Sequence, residues 1–231
     1  MKPRNDLHPS KPKAGSPRGQ DLGFVHIFAP AEKPKSPTLL MLHGTGGDER
    51  DLLPLGRELW PGSALLSVRG KVLENGMPRF FRRFAEGVLD VEDLKSRTEE
   101  LAQFIDAASE RYEFSKKSLI AVGYSNGANI AASLILLHPH YLAAAVLFRA
   151  IVPFVPDVIR DFRHLSVFIG AGRVDPIVPS GQVEELADIF ESGGAEVTIS
   201  WHQGGHELGE DDVRAAKTWL SKNKVQKKVA T

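Results

Sequence analysis

A chain of 231 residues, 42% of them hydrophobic, has the length of one large domain and enough apolar material for a core of its own. It has no cysteine, which excludes disulfides, thiolate metal sites and a cysteine nucleophile. The 29 basic and 29 acidic residues cancel, but residues 21–216 hold 19 of the first against 28 of the second, and so acidic a body argues against nucleic acid as a partner.

Residues 1–20 (MKPRNDLHPSKPKAGSPRGQ) are rich in Pro, Lys, Arg, Ser and Gly. Such a segment buries too little apolar surface to offset its ordering entropy, so a disordered basic tail is expected there. It has no apolar core of the secretory-leader kind, and nowhere does an apolar run approach the ~20 residues that span a bilayer. The expectation is a cytoplasmic protein with no membrane span. From 21 to 222 short apolar runs alternate with helical patterns, as one domain, and 223–231 read as a polar tail.

The strand-like runs are 24–29, 38–43, 64–68, 118–123, 143–148, 165–170 and 196–201. Several are apolar on both faces, as a parallel sheet covered by helices requires. Helical periodicity marks 91–112, where Leu94, Leu101, Ile105, Ala108 and Tyr112 form one stripe. It also marks 126–137, 182–190 and 211–220, with 50–60 a weaker candidate. Alternation along the whole chain predicts an α/β fold with a mostly parallel sheet.

The candidate chemistry sits at the ends of these runs. After 38–43 comes His43-Gly44-Thr45-Gly46-Gly47-Asp48-Glu49. A dinucleotide fingerprint would want glycine where Glu49 stands, and a Walker loop would want Gly-Lys-Ser/Thr. An HG-x-G loop ahead of a serine instead suits an oxyanion hole, with the backbone N–H groups of Thr45 and Asn126 as donors. His43 reads as a structural histidine bonding the loop backbone, with general base as its alternative.

The stretch 70–89 carries an Asn75-Gly76 turn and then Arg79-Phe80-Phe81-Arg82-Arg83-Phe84. One reading is a lid in which Phe80 and Phe81 pack an acyl or aryl group and Arg82 meets an anionic part of the substrate. The other is a surface loop whose aromatics anchor it to the core. Further on, the run 118–123 leads into Gly123-Tyr124-Ser125-Asn126-Gly127 and a helix. This G-x-S-x-G pattern in a strand–turn–helix context makes Ser125 the candidate nucleophile.

A serine hydroxyl needs a base oriented by a third group. Asp175, in Gly172-Arg173-Val174-Asp175-Pro176-Ile177-Val178-Pro179, lies just past a strand end. Its rivals Asp157 and Asp161 do not. In His202-Gln203-Gly204-Gly205-His206-Glu207-Leu208 two histidines compete for the base, and His206, following two glycines in a loop, is the choice over His202. No ligand spacing such as H-E-x-x-H occurs, so no metal is expected.

The segments 43–49, 123–133 (GYSNGANIAAS), 172–179 and 204–208 (GGHEL) resemble the phospholipase/carboxylesterase branch of the α/β-hydrolases. The resemblance covers nearly all of 38–221. The stretch from Arg69 to Leu94 further resembles small bacterial carboxylesterases of the hydroquinone-resistance type. This implies an α/β-hydrolase fold without a large cap, and a cofactor-free esterase of short acyl or aryl esters. It also implies Ser125, Asp175 and His206 as the triad, and a possible homodimer. Related thioesterases and lysophospholipases leave those substrates as alternatives, and a non-catalytic receptor on the same fold is a third.

Overall fold

The computed structural model describes residues 22–222; the tails expected at 1–20 and 223–231 lie outside the described residues. In chain order the elements begin with β1 (His26–Ala29), β2 (Thr38–Leu42), α1 (Leu53–Leu59) and β3 (Ala64–Val68). Four short strands follow, β4 (Val72–Glu74), β5 (Met77–Arg79), β6 (Arg83–Ala85) and β7 (Val88–Leu89), and then α2 (Val91–Tyr112). The rest comprises β8 (Leu119–Tyr124), α3 (Asn126–Leu137), β9 (Ala144–Phe148), β10 (Ser166–Gly172), α4 (Ser180–Ser192), β11 (Glu196–His202) and α5 (Glu210–Leu220). Each of the seven apolar runs is a strand to within two residues of the expected bounds.

Those seven strands form one sheet in the order β1-β3-β2-β8-β9-β10-β11. Only β1 runs antiparallel to its neighbour; the other pairs are parallel. Strand β2 explains why the runs are apolar throughout. Its side chains alternate between two cores: Leu40 and Leu42 pack with α2, α3 and α4 on one face, Leu39 and Met41 with α1 and α5 on the other. A strand covered on both sides has no polar face to show. This is the α/β-hydrolase architecture, with helices on both faces.

The order reverses between β2 and β8. From β2 the chain moves to β3 on one side, and from β8 to β9 on the other. Loops leaving the carboxyl ends of β2 and β8 therefore diverge and open a crevice between them, where open α/β sheets place their sites.

The segment 70–89 differs from the loop expected of it. It folds into two small hairpins, β4 with β5 and β6 with β7. The first turns through Asn75 (φ 52°) and Gly76 (φ 79°), the left-handed pair that a tight two-residue hairpin needs. Strands of two or three residues are too short to display alternation, so only the turn was visible in the sequence.

Candidate active site

Ser125 stands between β8 and α3 with φ 51° and ψ −113°, a backbone region costing a non-glycine residue about 1–3 kcal/mol. Its N–H donates to the Phe148 carbonyl of β9 at 2.8 Å, which ties the strained turn to the sheet. The two glycines of the motif are there for close approach. A Cβ on Gly123 would lie 2.6 Å from the Gly127 carbonyl oxygen, and one on Gly127 would lie 2.0 Å from that of Leu42. Helix α3 thus begins directly against the ends of β2 and β8.

His206 Nε2 lies 2.9 Å from Ser125 Oγ, and His206 Nδ1 lies 2.8 Å from Asp175 Oδ2. The Asp175 side chain is fully buried. Its other oxygen accepts the backbone N–H groups of Ile177 (2.8 Å) and Val178 (3.0 Å), which fixes its direction. With Nδ1 protonated towards the carboxylate, Nε2 is the lone-pair nitrogen facing the serine. His202 is not brought to the serine: its Nδ1 accepts the Gly204 N–H at 3.0 Å and its Nε2 faces Asp212, 3.7 Å away. Asp157 is exposed, and Asp161 pairs with Arg163 at 2.6 Å.

The loop carrying His206 is held by a residue the sequence reading did not single out. Arg149, just past β9, has a fully buried side chain and spends all five guanidinium N–H bonds on protein acceptors. Nε donates to the Gly205 carbonyl (3.1 Å) and Nη2 to that of Glu207 (2.6 Å), the carbonyls on either side of His206. Nη1 donates to the Gly170 carbonyl, and both Nη atoms reach the Asp212 carboxylate at 3.0 and 2.7 Å. The Tyr124 hydroxyl donates to the His206 carbonyl at 3.1 Å. A lone arginine inside the apolar stretch AVLFRAIVPF was the available signal.

On the other side of Ser125 lies the loop after β2. His43 is buried, with Nδ1 donating to the Gly44 carbonyl at 2.6 Å and Nε2 accepting the Gly70 N–H at 2.9 Å. Both ring nitrogens are thus used by backbone, and burial holds the imidazole below its ordinary pKa. Glu49 bonds Arg69 through both oxygens, and that guanidinium holds its carboxyl below the usual range. Among the described residues no protein acceptor takes the N–H of Thr45 or of Asn126. The second is the first helical position of α3, where a free donor and the positive end of the helix dipole coincide.

The hairpins close over this loop. Gly46 N–H donates to the Pro78 carbonyl at 2.9 Å, Arg79 Nη1 to Thr45 Oγ1 at 2.6 Å, and Phe80 N–H to Asn126 Oδ1 at 2.7 Å. Phe80 and Phe81, which the lid reading set against the substrate, do not line the cleft. They are 2% and 0% exposed in the core, with the Phe80 ring 4.8 Å from that of His43. Arg82 turns away to Asp90 and Asp93 and is 60% exposed. The anchoring reading of the aromatics describes their position, because the backbone bonds that seat the hairpin turn both rings inward. Arg79 and Arg83 face the cleft instead, beside Thr45, Ser125, Asn126 and His206, with Leu89, Ile151 and Ile177 as its apolar wall. The cleft is small, about 40 Å³. Larger grooves, of about 620 Å³ between α1 and α5 and about 510 Å³ beside 154–160, share no residue with it.

Residues 73–224 match the family model described as Phospholipase/Carboxylesterase. The putative hydrolase MhqD of Bacillus subtilis (strain 168) is 50% identical over 181 residues, 78% of this chain and 90% of that protein. The crystal structure of the Bacillus cereus carboxylesterase superposes with a TM-score of 0.84 at 48% identity, over 85% of this chain and 93% of that one. That of a carboxylesterase from Mesorhizobium loti gives 0.82 at 30% identity, over 89% and 98%.

Proposed function

Because the chain belongs to the phospholipase/carboxylesterase family, we propose that it is a serine carboxylesterase of small, short acyl or aryl esters, working through an acyl-enzyme. The observation that carries this is the unbroken run from Ser125 Oγ through His206 to Asp175, with contacts of 2.9 and 2.8 Å. It stands beside two backbone N–H groups that have no protein acceptor among the described residues.

The chemistry follows from that arrangement. Ser125 Oγ attacks the ester carbonyl while His206 Nε2 takes its proton, and Asp175 steadies the imidazolium that forms. The carbonyl oxygen becomes an oxyanion and draws the N–H groups of Thr45 and Asn126, each such donor being worth about 2.7–4 kcal/mol in the transition state. Collapse expels the alcohol, which leaves with the proton held by His206. Water, deprotonated by the same nitrogen, then attacks the acyl-serine and releases the acid. No step calls for a metal or organic cofactor. The small cleft favours short acyl chains over lysophospholipid tails.

Hydrolysis of p-nitrophenyl acetate, butyrate and octanoate by the wild type and by Ser125→Ala tests this. Expected are activity falling from butyrate to octanoate and a loss of several orders of magnitude in the variant. Equal rates in the two proteins would remove Ser125 as nucleophile. Negligible rates in both would favour the receptor alternative.

A further inference from the structure

We propose that the cleft is built for esters that also carry a carboxylate, the half-esters of short dicarboxylic acids, with Arg79 and Arg83 as the carboxylate subsite. This deepens the carboxylesterase reading and rests on it.

Positive charge outnumbers negative at the cleft wall. Glu74 lies between two guanidinium groups: its Oε2 is 3.1 Å from Arg79 Nη1 and its Oε1 is 3.0 Å from Arg83 Nε. One carboxylate thus serves two cations, leaving one positive charge in excess. The neighbouring charges do not cancel it. Arg149 is matched by Asp212 at 2.7 Å, and Asp175 faces His206 and two backbone N–H groups. The side chains of Arg79 and Arg83 are 3% and 25% exposed, so the excess charge they share is partly withdrawn from water, which is costly for an unmatched ion. Burial and the nearby Arg83 hold the Arg79 pKa below the ordinary arginine value, against the opposing pull of Glu74.

Donors remain for such a counter-ion. Arg79 uses Nε on the Phe81 carbonyl and Nη1 on Thr45, its contact with Glu74 Oε2 being ionic without a hydrogen bond, and Arg83 uses Nε on Glu74. Among the described residues, Arg79 Nη2 and both Nη atoms of Arg83 have no protein partner. Both residues line the cleft that holds Ser125. Planar, forked donors of this kind match a carboxylate. Arg79 also bonds Thr45, whose N–H faces the oxyanion, so the anion-binding and oxyanion-binding groups are one connected unit. The reaction balances as ordinary hydrolysis: water and the half-ester give the alcohol and the dicarboxylate, with one proton released.

The test compares kcat/KM for pairs of esters in which a carboxylate replaces a terminal methyl group. The pairs are monoethyl succinate with ethyl butyrate, monoethyl glutarate with ethyl pentanoate, and monoethyl adipate with ethyl hexanoate, followed by proton release. In at least one pair the anionic ester is expected to be preferred about tenfold or more, the worth of a charge-assisted contact. Arg83→Gln is expected to bring that ratio towards one. Glu74→Gln, which removes the competing carboxylate, is expected to raise it, a direction that a merely structural role for the hairpin does not produce. A wild-type ratio at or below one for all three pairs, or a preference that survives Arg83→Gln, overturns the subsite.

Binding of the same esters to Ser125→Ala, measured by calorimetry, separates this proposal from the one beneath it. Turnover of neutral esters with no anionic preference keeps the hydrolase and removes the subsite. No turnover by the wild type, with binding that favours the anion through Arg83, does the reverse. Neither turnover nor preference removes both.

Discussion

At the scale of single residues, His43 shows how burial turns a titratable group into a structural one. An unfolded chain protonates it near the ordinary value of 6.5, whereas the folded protein holds it neutral to lower pH. Between those two pH values the unfolded state binds more protons, so stability is fully present above 6.5 and falls as pH drops through the window. One such group contributes a slope of at most about 1.4 kcal/mol per pH unit. Urea unfolding at stepped pH values below neutrality is expected to show a shallower pH dependence for His43→Gln than for the wild type, whatever its stability at neutral pH. Parallel curves would mean that another group carries the acid sensitivity.

Residue identity made some of the site legible in advance and hid the rest. Ser125, Asp175 and His206 could be chosen because each follows a strand end in a loop with its own glycine or proline punctuation. Phe80, Phe81 and Arg82 stayed open between lid and anchor because side-chain direction in a run of large residues depends on where the backbone is pinned. The pins, Pro78 to Gly46 and Phe80 to Asn126, join positions more than thirty residues apart and leave no local trace.

Between elements, the Arg149 clamp ties the end of β9 to the loop after β11 and to the first turn of α5. Arg149→Met leaves Asp212 buried without its cation, and removing one partner of a buried pair costs about 3–5 kcal/mol. The double variant Arg149→Met, Asp212→Leu is expected to recover most of that stability, since a well-packed apolar pair often replaces a buried ion pair without loss. It is not expected to recover kcat, because the carbonyls of Gly205 and Glu207 remain unheld and His206 keeps its freedom. Thermal melts and ester kinetics on the same preparations check both halves. A kcat that returns along with stability would show the arginine to be ballast rather than a positioning residue. Helices α2 and α3 announced themselves through long periodic stripes or apolar composition, whereas the clamp depends on a strand end and a loop that meet only in the folded chain.

For the whole molecule, the parallel sheet was legible because both-face burial writes itself into the strands as unbroken apolar runs. Strand order was not, since a run such as β2 pairs with β3 and β8 without any mark of which lies on which side. That order has a consequence for unfolding. Ser125, Asp175 and His206 stand at the carboxyl ends of β8, β10 and β11, all in one sheet, and the His206 loop is bonded back to it by Arg149. Activity and far-ultraviolet ellipticity are therefore expected to disappear over the same range of urea concentration, as one cooperative unit. Activity lost at clearly lower urea than ellipticity would reveal that the His206 loop opens on its own.

The left-handed backbone at Ser125 reaches beyond chemistry into how this sequence is kept. Glycine would sit at that turn without strain, so stability by itself pulls position 125 away from serine. On the proposed mechanism, selection for turnover is what opposes that pull, and it must act in every generation. A descendant that no longer needed its ester would have a downhill path out of catalysis, through a single codon and towards a sturdier protein.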